Sequence, residues 1–373
     1  MPFLGVLFLF FVFAFPAYAV QPGASPLSYR SFKDSDHGHA LRVHLIEVNL
    51  KDPRMIVGVA LAHGKASGEE RLRGMAERTN ALAAINGSFF QGRHMASSVG
   101  LLMRDGEIIA DSRHRRTSLG ITSDRQFVIG IPKIQTGLLF PERNRFQAIS
   151  GVNQPRRTHQ TMVYTSRFGK RTGTNSWGRE VVVEKNKIIG YGTGNTLIPR
   201  SGYVISAHGR SGREIQRMYP LGQRVILQAK ASGEWTDVRT VITGAPHLVH
   251  QGRIHNTYFQ EKLQASLKAP NSRSALGYTH NQKLLLINVF PEGKSRGGVT
   301  YTRLAQIMRR LGAVEAMGLD GGGSTSLYFQ DKGIKHGPRP VTNALIITMT
   351  PRPLRIPGQK IPISRFCGFG GDC

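Results

Sequence analysis

The stretch Met317-Gly-Leu-Asp-Gly-Gly-Gly-Ser-Thr-Ser-Leu-Tyr-Phe329 decides how this chain is interpreted. The apolar residues on either side of Gly321–Gly323 predict two short strands joined by a glycine-rich turn. Three consecutive glycines cost backbone entropy on folding, but they let main-chain N–H groups approach one anionic ligand closely. Asp320 stands at the mouth of this turn, where a carboxylate acts as a base, an acid or a metal ligand. A tight hairpin whose aspartate caps its own turn is the structural alternative.

Two other polar segments stand next to apolar runs. Asn86-Gly-Ser88 follows the run at 82–85, which predicts a buried strand, and strand ends are where sites collect in α/β domains. The structural alternative for this segment is an Asx turn. Arg273 stands just before an apolar strand that runs to Val289, and taken on its own it is interpreted as one of many solvated arginines.

The rest of the pattern predicts a fold rich in strands. Period-two alternation over 41–45 and the apolar run at 55–61 indicate strands, and short apolar runs separated by turn residues continue from 99 to 260. Apolar residues at helical spacing predict helices over 68–79 and 302–311. The expected fold class is α/β (α+β), with a mixed, twisted β-sheet, a few packed helices and a β-rich middle section.

Capping residues define the ends of both predicted helices. Ser67 and Glu70 have the spacing of a capping box at the start of the first helix. Thr300 or Thr302 caps the start of the second, and Gly312 follows its end, where a left-handed residue is favoured.

Composition limits the kinds of partner. The chain has 373 residues, 40% of them hydrophobic, which is enough for one or two globular domains with a large core. Lys and Arg number 50 against 23 Asp and Glu, so the formal charge is +27 and an acidic disordered protein is excluded. The positive charge, and in particular the guanidinium groups of the arginines, favours phosphate or carboxylate partners, such as an anionic envelope glycan. Scattered solvated charge is the alternative, and no nucleic acid partner is expected because no basic run carries interleaved aromatics.

The N-terminal segment has the pattern of an export signal, and the C-terminal segment is rich in proline and glycine. The apolar run Phe3–Phe15 followed by Pro16-Ala-Tyr-Ala19 predicts a signal peptide over 1–19 and a periplasmic or extracellular location after cleavage near Ala19. An uncleaved segment is the only membrane attachment expected. Residues 20–38 are predicted to be a linker, and 351–373 a Pro- and Gly-rich tail in which Cys367 and Cys373 could close a small disulfide loop.

No histidine or cysteine spacing typical of a metal motif stands out, so no metal and no cofactor are predicted. The oligomeric state is not indicated by the sequence.

Taken in order, the motifs resemble the phosphodiester glycosidase family. The matching segments are Asn86-Gly-Ser-Phe-Phe, Gly244-Ala-Pro-His-Leu-Val, Asn271-Ser-Arg-Ser274, Ser295-Arg-Gly, Leu319–Ser326 and Asn343-Ala-Leu. The resemblance spans roughly residues 40–348 and implies a single domain over 39–350. It also implies a cleft in which Asn86, Arg273 and the Asp320 loop converge.

The resemblance assigns expected roles by matching position. Asp320 would be catalytic or ligand-orienting, Arg273 would hold the phosphodiester, and Asn86 would bind sugar or phosphate. The expected substrate-binding residues are Gly321, Gly322, Gly323, Ser324, Thr325, Ser274 and Glu292. The family's Asp-Gly-Arg motif is not retained in this chain. Asn288-Val-Phe290 occupies the corresponding positions, and Glu292, slightly downstream, is the nearest candidate to replace the aspartate.

These observations lead to three hypotheses about function. The first is an exported hydrolase that cleaves a sugar-1-phosphodiester in an anionic glycan or cell-envelope component. The second is a non-catalytic cationic module that binds anionic envelope polysaccharide. The third is a nuclease or other phosphoesterase, which would release a phosphomonoester without freeing the anomeric hydroxyl.

Overall fold

The computed structural model describes residues 25–351 except 93–95, 294–296, 331, 333–336 and 338. The expected signal peptide, both cysteines and all but the first residue of the expected tail lie outside the described residues. Within the described part, no helix combines the length and apolar character that crossing a membrane requires.

Strands make up most of the regular structure. In chain order they are β1 (Leu27–Asp36), β2 (His39–Asn49), β3 (Met55–Leu61), β4 (Ala83–Asn86), β5 (Phe90–Gln91), β6 (Ser97–Ser98), β7 (Leu101–Arg104), β8 (Glu107–Asp111), β9 (Ser118–Thr122), β10 (Phe127–Gly130), β11 (Ile134–Phe140), β12 (Arg145–Ala148), β13 (Gly151–Val152), β14 (Thr161–Thr165), β15 (Arg179–Glu184), β16 (Lys187–Gly192), β17 (Gly202–Ala207), β18 (Ile226–Ala231), β19 (Val238–Thr243), β20 (His247–His250), β21 (Arg253–Ile254), β22 (Arg273–Thr279), β23 (Lys283–Pro291), β24 (Ala313–Gly318), β25 (Leu327–Phe329) and β26 (Asn343–Met349).

The α-helices are α1 (Leu72–Arg78), α2 (Arg210–Arg213), α3 (Ile215–Met218) and α4 (Tyr301–Arg310). The predicted second helix is confirmed, because Thr300 is the N-cap of α4 and its side chain accepts a hydrogen bond from the Arg303 N–H. The predicted capping box of the first helix is wrong. The Glu70 carboxylate instead accepts the His63 N–H at 2.7 Å and pairs with Arg78, and α1 begins only at Leu72.

Strand accounts for 48% of the structure and helix for 12%, so the fold is α+β but mostly β. The strands form a seven-stranded sheet (β1-β2-β23-β22-β24-β20-β21), a ten-stranded sheet (β10-β9-β19-β7-β8-β13-β14-β17-β15-β16) and three smaller sheets (β12-β11-β18, β25-β4-β26-β3 and β5-β6). The expected mixed sheet is confirmed only in a narrow sense. Among the described strands, β13 and β14 are the one parallel pair.

The seven-stranded sheet is buried on both faces, which explains the continuous apolar run in β23. Leu284 and Leu286 point to a core shared with Ile85 of the four-stranded sheet. Leu285 and Ile287, which alternate with them, point to the opposite core formed with α4. The two sheets that carry the candidate site therefore share one hydrophobic core.

Residues 27–36 form an edge strand, which corrects the predicted linker over 20–38. β1 pairs with β2 along its whole length, from Leu27 opposite Val48 to Asp36 opposite His39. The strand was not predicted because many of its side chains are charged, but one of these charged residues, Asp34, attaches it to α4. The Asp34 carboxylate, whose side chain is only 5% exposed, pairs with both Arg303 and Arg310 of α4.

We expect Asp34→Asn to lower the free energy of unfolding by about 1.5–3 kcal/mol at neutral pH, the range for hydrogen bonds to charged groups. Burial alone would raise the pKa of Asp34, but its bonds to Arg303 and Arg310 outweigh this and lower it. A carboxyl whose folded-state pKa is lowered stabilises the fold above its unfolded-state pKa and loses that contribution as the pH falls. Urea unfolding at pH 7 and below pH 4 should therefore show the difference shrinking in acid. An equal difference at both pH values would contradict the assignment.

Candidate active site

The glycine-rich loop crosses between the two sheets that share a core. β24 ends at Gly318, which pairs with Ala275 of β22, and β25 begins at Leu327, which pairs with Ile85 of β4. Asp320 therefore lies between the first residue of β22, Arg273, and the last residue of β4, Asn86. The strand, turn and strand predicted from the sequence are all present.

Asn86 holds this loop in position. It is fully buried, and its side-chain amide donates to the Asp320 carbonyl at 2.7 Å. Its Oδ1 accepts the Ser274 hydroxyl at 2.6 Å and the Ser326 N–H at 3.0 Å. The amide therefore ties the ends of β4, β22 and β25 to the loop. Ser274, an expected substrate-binding residue, is also fully buried and supports Asn86.

Asp320 carries a buried carboxylate at the centre of the site. Only 5% of the residue is exposed. Oδ1 accepts the Gly321 N–H at 3.0 Å, and Oδ2 accepts an Arg339 Nη2 hydrogen at 2.9 Å. Burial raises the pKa of Asp320, although Ser324, Arg339 and the Gly321 N–H act in the opposite direction. A carboxyl with a raised pKa next to a cation is suited to proton transfer.

Arg339, which the sequence did not indicate, covers one side of this carboxylate. Its Nε and Nη2 donate to the Ser324 hydroxyl at 2.9 and 2.6 Å, in addition to the bond to Asp320. Its guanidinium carbon lies 4.7 Å from the ring centre of Phe90. The Arg339 side chain is 48% exposed, so solvent and ligands have access to this edge of the site.

Arg273 is anchored within the fold. It is 1% exposed, and its Nη2 donates to the Leu267 and Ala269 carbonyls at 2.5 and 2.7 Å. Its Nη1 donates to the Tyr301 hydroxyl at 3.1 Å, and its guanidinium carbon lies 4.1 Å from the centre of that ring. Burial lowers the pKa of Arg273, with Tyr301 and Asp320 opposing the shift. The Nε of Arg273 is buried without a hydrogen-bond partner among the described residues.

Arg116 is a third guanidinium group near Asp320 that sequence reasoning missed. It is half-buried, and its guanidinium carbon lies 5.3 Å from the Phe89 ring centre. Burial lowers its pKa, while Glu261, Tyr301 and Asp320 act the other way, which places it in the same electrostatic environment as Arg273. Within the described part of the chain, its guanidinium makes no hydrogen bond. The segment Arg113-His-Arg-Arg116 was the available signal, but in a chain so rich in arginine it did not stand out.

The expected cradle of bare main-chain amides is wrong at three positions. The Gly321 N–H donates to Asp320, the Gly322 N–H to the Ser272 carbonyl at 2.7 Å, and the Ser324 N–H to the Gly321 carbonyl at 3.2 Å. The glycines are needed for close packing instead. A Cβ on Gly321 would lie 2.9 Å from the Ser272 carbonyl oxygen, and Gly322 adopts a φ of +58°.

Hydroxyl groups near the loop remain available. The Thr325 hydroxyl and the Ser88 hydroxyl are both buried, and neither has a hydrogen-bond partner within the described residues. Buried polar groups without partners are uncommon and call for a water, an ion or a ligand. Thr325, an expected substrate-binding residue, therefore offers a hydroxyl group in the turn, and Ser88 offers a second one beside it.

Glu292, the predicted substitute for the aspartate of the missing Asp-Gly-Arg motif, is paired with a residue away from the site. The Glu292 carboxylate pairs with Arg42 of β2, and its N–H donates to the Ala40 carbonyl at 2.9 Å. No described contact joins it to Asp320. Asn288, at the motif's first position, is fully buried, and neither its Nδ2 nor its Oδ1 has a partner among the described residues.

Two cavities lie away from this site, with volumes of about 570 and 560 Å³. The first is lined by the β7–β8 turn and β18, and the second by residues such as Trp177, Arg179 and His208. Neither is lined by Asn86, Arg273 or Asp320.

Solved structures share the fold at low identity. A hypothetical protein from Synechocystis matches with a TM-score of 0.75 and 20% identity over 87% of this chain and 62% of its own. A Burkholderia pseudomallei protein described as exported matches with a TM-score of 0.67 and 20% identity over 83% of this chain and 74% of its own. The chain thus spans less than two thirds of the Synechocystis protein. Identities this low show the fold alone.

The other comparisons are with a further solved structure, with curated sequences and with family models. The catalytic domain of zebrafish N-acetylglucosamine-1-phosphodiester alpha-N-acetylglucosaminidase matches with a TM-score of 0.48 and 15% identity over 88% of this chain and 86% of its own. Comparison with curated protein sequences gives no match. Residues 177–348, which include Arg273 and Asp320, match the family model described as phosphodiester glycosidase. The resemblance predicted from the motifs is therefore confirmed over residues 177–348, the part of the chain that matches the family model.

Proposed function

We propose that this protein is a hydrolase that cleaves the bond between a sugar C1 and a phosphodiester. The observation that carries the proposal is the buried Asp320 carboxylate with three guanidinium groups around it, inside a domain that matches the phosphodiester glycosidase family. Three cations against the carboxylates of Asp320 and Glu261 leave the site net positive. Such a site favours an anionic substrate over a neutral glycoside.

Charge neutralisation on the phosphate is the main chemical requirement. Water forms the new C1–O bond as the C1–O–P oxygen leaves with its electron pair, which yields a free sugar and a phosphomonoester. Arg116, whose guanidinium makes no hydrogen bond within the described residues, and the exposed edge of Arg339 would bind the leaving phosphate. The phosphate is a good leaving group, so it needs less general-acid help than an ordinary sugar alcohol.

Asp320 is proposed to accept the proton of the attacking water or to stabilise the oxocarbenium-like transition state. Asn86 is proposed to act as a positioning residue, because each of its hydrogen bonds goes to the chain itself. This differs from the role in substrate binding that the family resemblance implies. The Ser88 and Thr325 hydroxyls are the proposed donors to sugar or phosphate oxygens.

The reaction is tested by hydrolysis of a panel of sugar-1-phosphodiesters in ¹⁸O-labelled water. The proposal expects a reducing sugar that carries the label and an unlabelled phosphomonoester. A label in the phosphate would show attack at phosphorus and identify a phosphoesterase or nuclease. No turnover together with salt-sensitive binding would support the binding-module hypothesis.

Arg116→Met should raise KM for a sugar-1-phosphodiester and lower kcat/KM by about 10–150-fold, which corresponds to a lost charged hydrogen bond of about 1.5–3 kcal/mol. The free energy of unfolding should change little, because no described hydrogen bond of the guanidinium is lost. The matched control is Arg143→Met, which removes the same charge from an exposed position. Equal effects of the two variants on KM would exclude a specific role for Arg116.

A glycan-binding module is the second candidate, and the cavity beside Trp177 favours it. Trp177 is 80% exposed, and Arg179, Tyr191 and Arg213 line the same cavity of about 560 Å³. An exposed aromatic ring beside arginines suits an anionic sugar. Loss of binding to an anionic polysaccharide in Trp177→Ala, with hydrolysis intact, would show that this cavity binds glycan independently of the Asp320 site.

Export is also part of the proposal and rests on the apolar run and the small residues before position 20. The proposed substrate is then an anionic sugar phosphate or envelope glycan in the periplasm or outside the cell. Fractionation of expressing cells, with the mature N-terminus determined by mass spectrometry, tests it. A protein that starts at Met1 in the cytoplasmic fraction would contradict this part of the proposal.

A further inference from the structure

Three imidazoles and one carboxylate gather on the edge of the seven-stranded sheet, outside the site described above. His247 and His250 lie at the two ends of β20, His255 follows β21, and Glu315 lies on the neighbouring strand β24. His247 is buried, with 6% of the residue exposed, whereas the His250 side chain is 47% exposed. The cluster is therefore open to solvent on one side.

The nitrogen and oxygen atoms of this cluster point at one another. His247 Nε2 lies 2.8 Å from Glu315 Oε2, and His250 Nδ1 lies 2.9 Å from Glu315 Oε1. One such atom from each of the three residues lies within 4.8 Å of the others. A tetrahedral ion with bonds of about 2.0 Å holds its ligand atoms about 3.3 Å apart, so small side-chain rotations would bring these groups around one ion.

A third imidazole completes the donor set. The His255 ring centre lies 5.1 Å from that of His247 and 5.4 Å from that of His250. Imidazole nitrogens with a single carboxylate form the donor set that Zn²⁺ prefers, whereas Ca²⁺ and Mg²⁺ prefer oxygen ligands. The carboxylate also offsets one of the two charges of the ion.

The surrounding chain holds two of these groups in place. The Gln251 N–H donates to Glu315 Oε1 at 3.0 Å, and the His247 N–H donates to the Thr257 hydroxyl at 2.8 Å and to Glu261 at 3.1 Å. The Gln251 bond orients the Glu315 carboxylate, as outer hydrogen bonds do at metal sites, and the bonds of the His247 backbone N–H fix the position of that residue on β20. A hydrogen-bonded His-Glu-His cluster without metal is the alternative that the experiment must exclude.

We propose that His247, His250 and Glu315 bind a zinc ion, with His255 at the fourth position. The ion would pin the β20–β21 hairpin to β24, the strand that leads into the Asp320 loop. The sequence did not indicate this site because Glu315 joins the histidines from a different strand. The inference does not depend on the proposed hydrolase activity.

Binding is tested with the untagged full chain after removal of metal by a chelator. Calorimetric titration with Zn²⁺ should give one tight site per chain, and Zn²⁺ should raise the thermal unfolding temperature, since an ion that binds only the folded state stabilises it. His250→Ala and Glu315→Gln should each weaken binding at least tenfold, because even the loss of an outer partner costs about 10–100-fold. His280→Ala is the matched control and should bind like the wild type, because this exposed histidine lies in the turn between β22 and β23, outside the cluster.

Two results would overturn the zinc site. One is a folded wild-type chain that shows no stoichiometric Zn²⁺ binding. The other is an affinity in His250→Ala and Glu315→Gln equal to that of His280→Ala, which would mean that the metal binds elsewhere. Because His250 is half-exposed, its variant should fold even if a variant of the buried His247 does not.

Discussion

Asp320→Asn should lower kcat for sugar-1-phosphodiester hydrolysis by about 10²–10⁴-fold, the usual contribution of a positioned acid or base. The amide keeps the size of the side chain and an oxygen that can accept the Gly321 N–H, so the loop should keep its shape. What is lost is the charge beside Arg339 and the capacity to accept a proton. Steady-state kinetics on purified protein measures the effect.

Stability separates a catalytic role of Asp320 from a structural one. Burial raises the pKa of Asp320 above its unfolded-state value, so the ionised form costs stability at neutral pH, and the group stabilises the fold only at lower pH. The Asn variant should therefore unfold at the same or a higher temperature than the wild type. A loss of activity that is matched by a loss of stability would indicate a structural group. Asp237→Asn, on the exposed surface, is the control.

The pH profile gives a second test of the same residue. If the ionised carboxylate is required, kcat/KM should fall as the pH drops, with an apparent pKa above the ordinary aspartate value of 3.8. This acid limb should be absent from the residual activity of Asp320→Asn. A limb that is unchanged in the variant would assign the titration to another group.

Local pattern predicted the elements that build the site. A continuous apolar run placed β3 over 55–61 as observed, and apolar residues at helical spacing placed α4 within one residue of its observed bounds. Edge strands were harder to predict, because β1 presents charged side chains to solvent and is held by pairing to β2 and by Asp34, both of which depend on distant residues. Likewise, the Glu70 carboxylate was predicted to cap the first helix, but it accepts a hydrogen bond from the His63 N–H, which precedes the helix.

The site was predicted in location but not in detail. Asn86, Arg273 and Asp320 lie close together because β4 ends, β22 begins and β24 ends at the same place, and the family motifs carried that information. Whether a polar group is free to bind a ligand depends on its hydrogen bonds to residues distant in the chain, and the spacing of residues in the sequence does not predict these bonds. The N–H groups of Gly321, Gly322 and Ser324 and the side-chain amide of Asn86 therefore bond within the fold, while Arg116 and Arg339 come from segments without a motif.

Arg273→Met should lower the free energy of unfolding by about 3–5 kcal/mol, because it removes three hydrogen bonds and leaves their buried acceptors unpaired. The acceptors are the Leu267 carbonyl, the Ala269 carbonyl and the Tyr301 hydroxyl. Urea unfolding followed by tryptophan fluorescence measures the change. Methionine fills most of the vacated volume, so the loss reports the polar contacts more than a cavity.

The two arginines should therefore respond in opposite ways. Arg116→Met should weaken substrate binding with little loss of stability, whereas Arg273→Met should lose stability first and activity as a consequence. Assays of Arg273→Met at a temperature where the variant remains folded separate these effects. If it then retains its stability but has lost affinity for the phosphodiester, Arg273 contacts substrate directly through its unpartnered Nε, as the family resemblance implies, and the anchoring role is wrong.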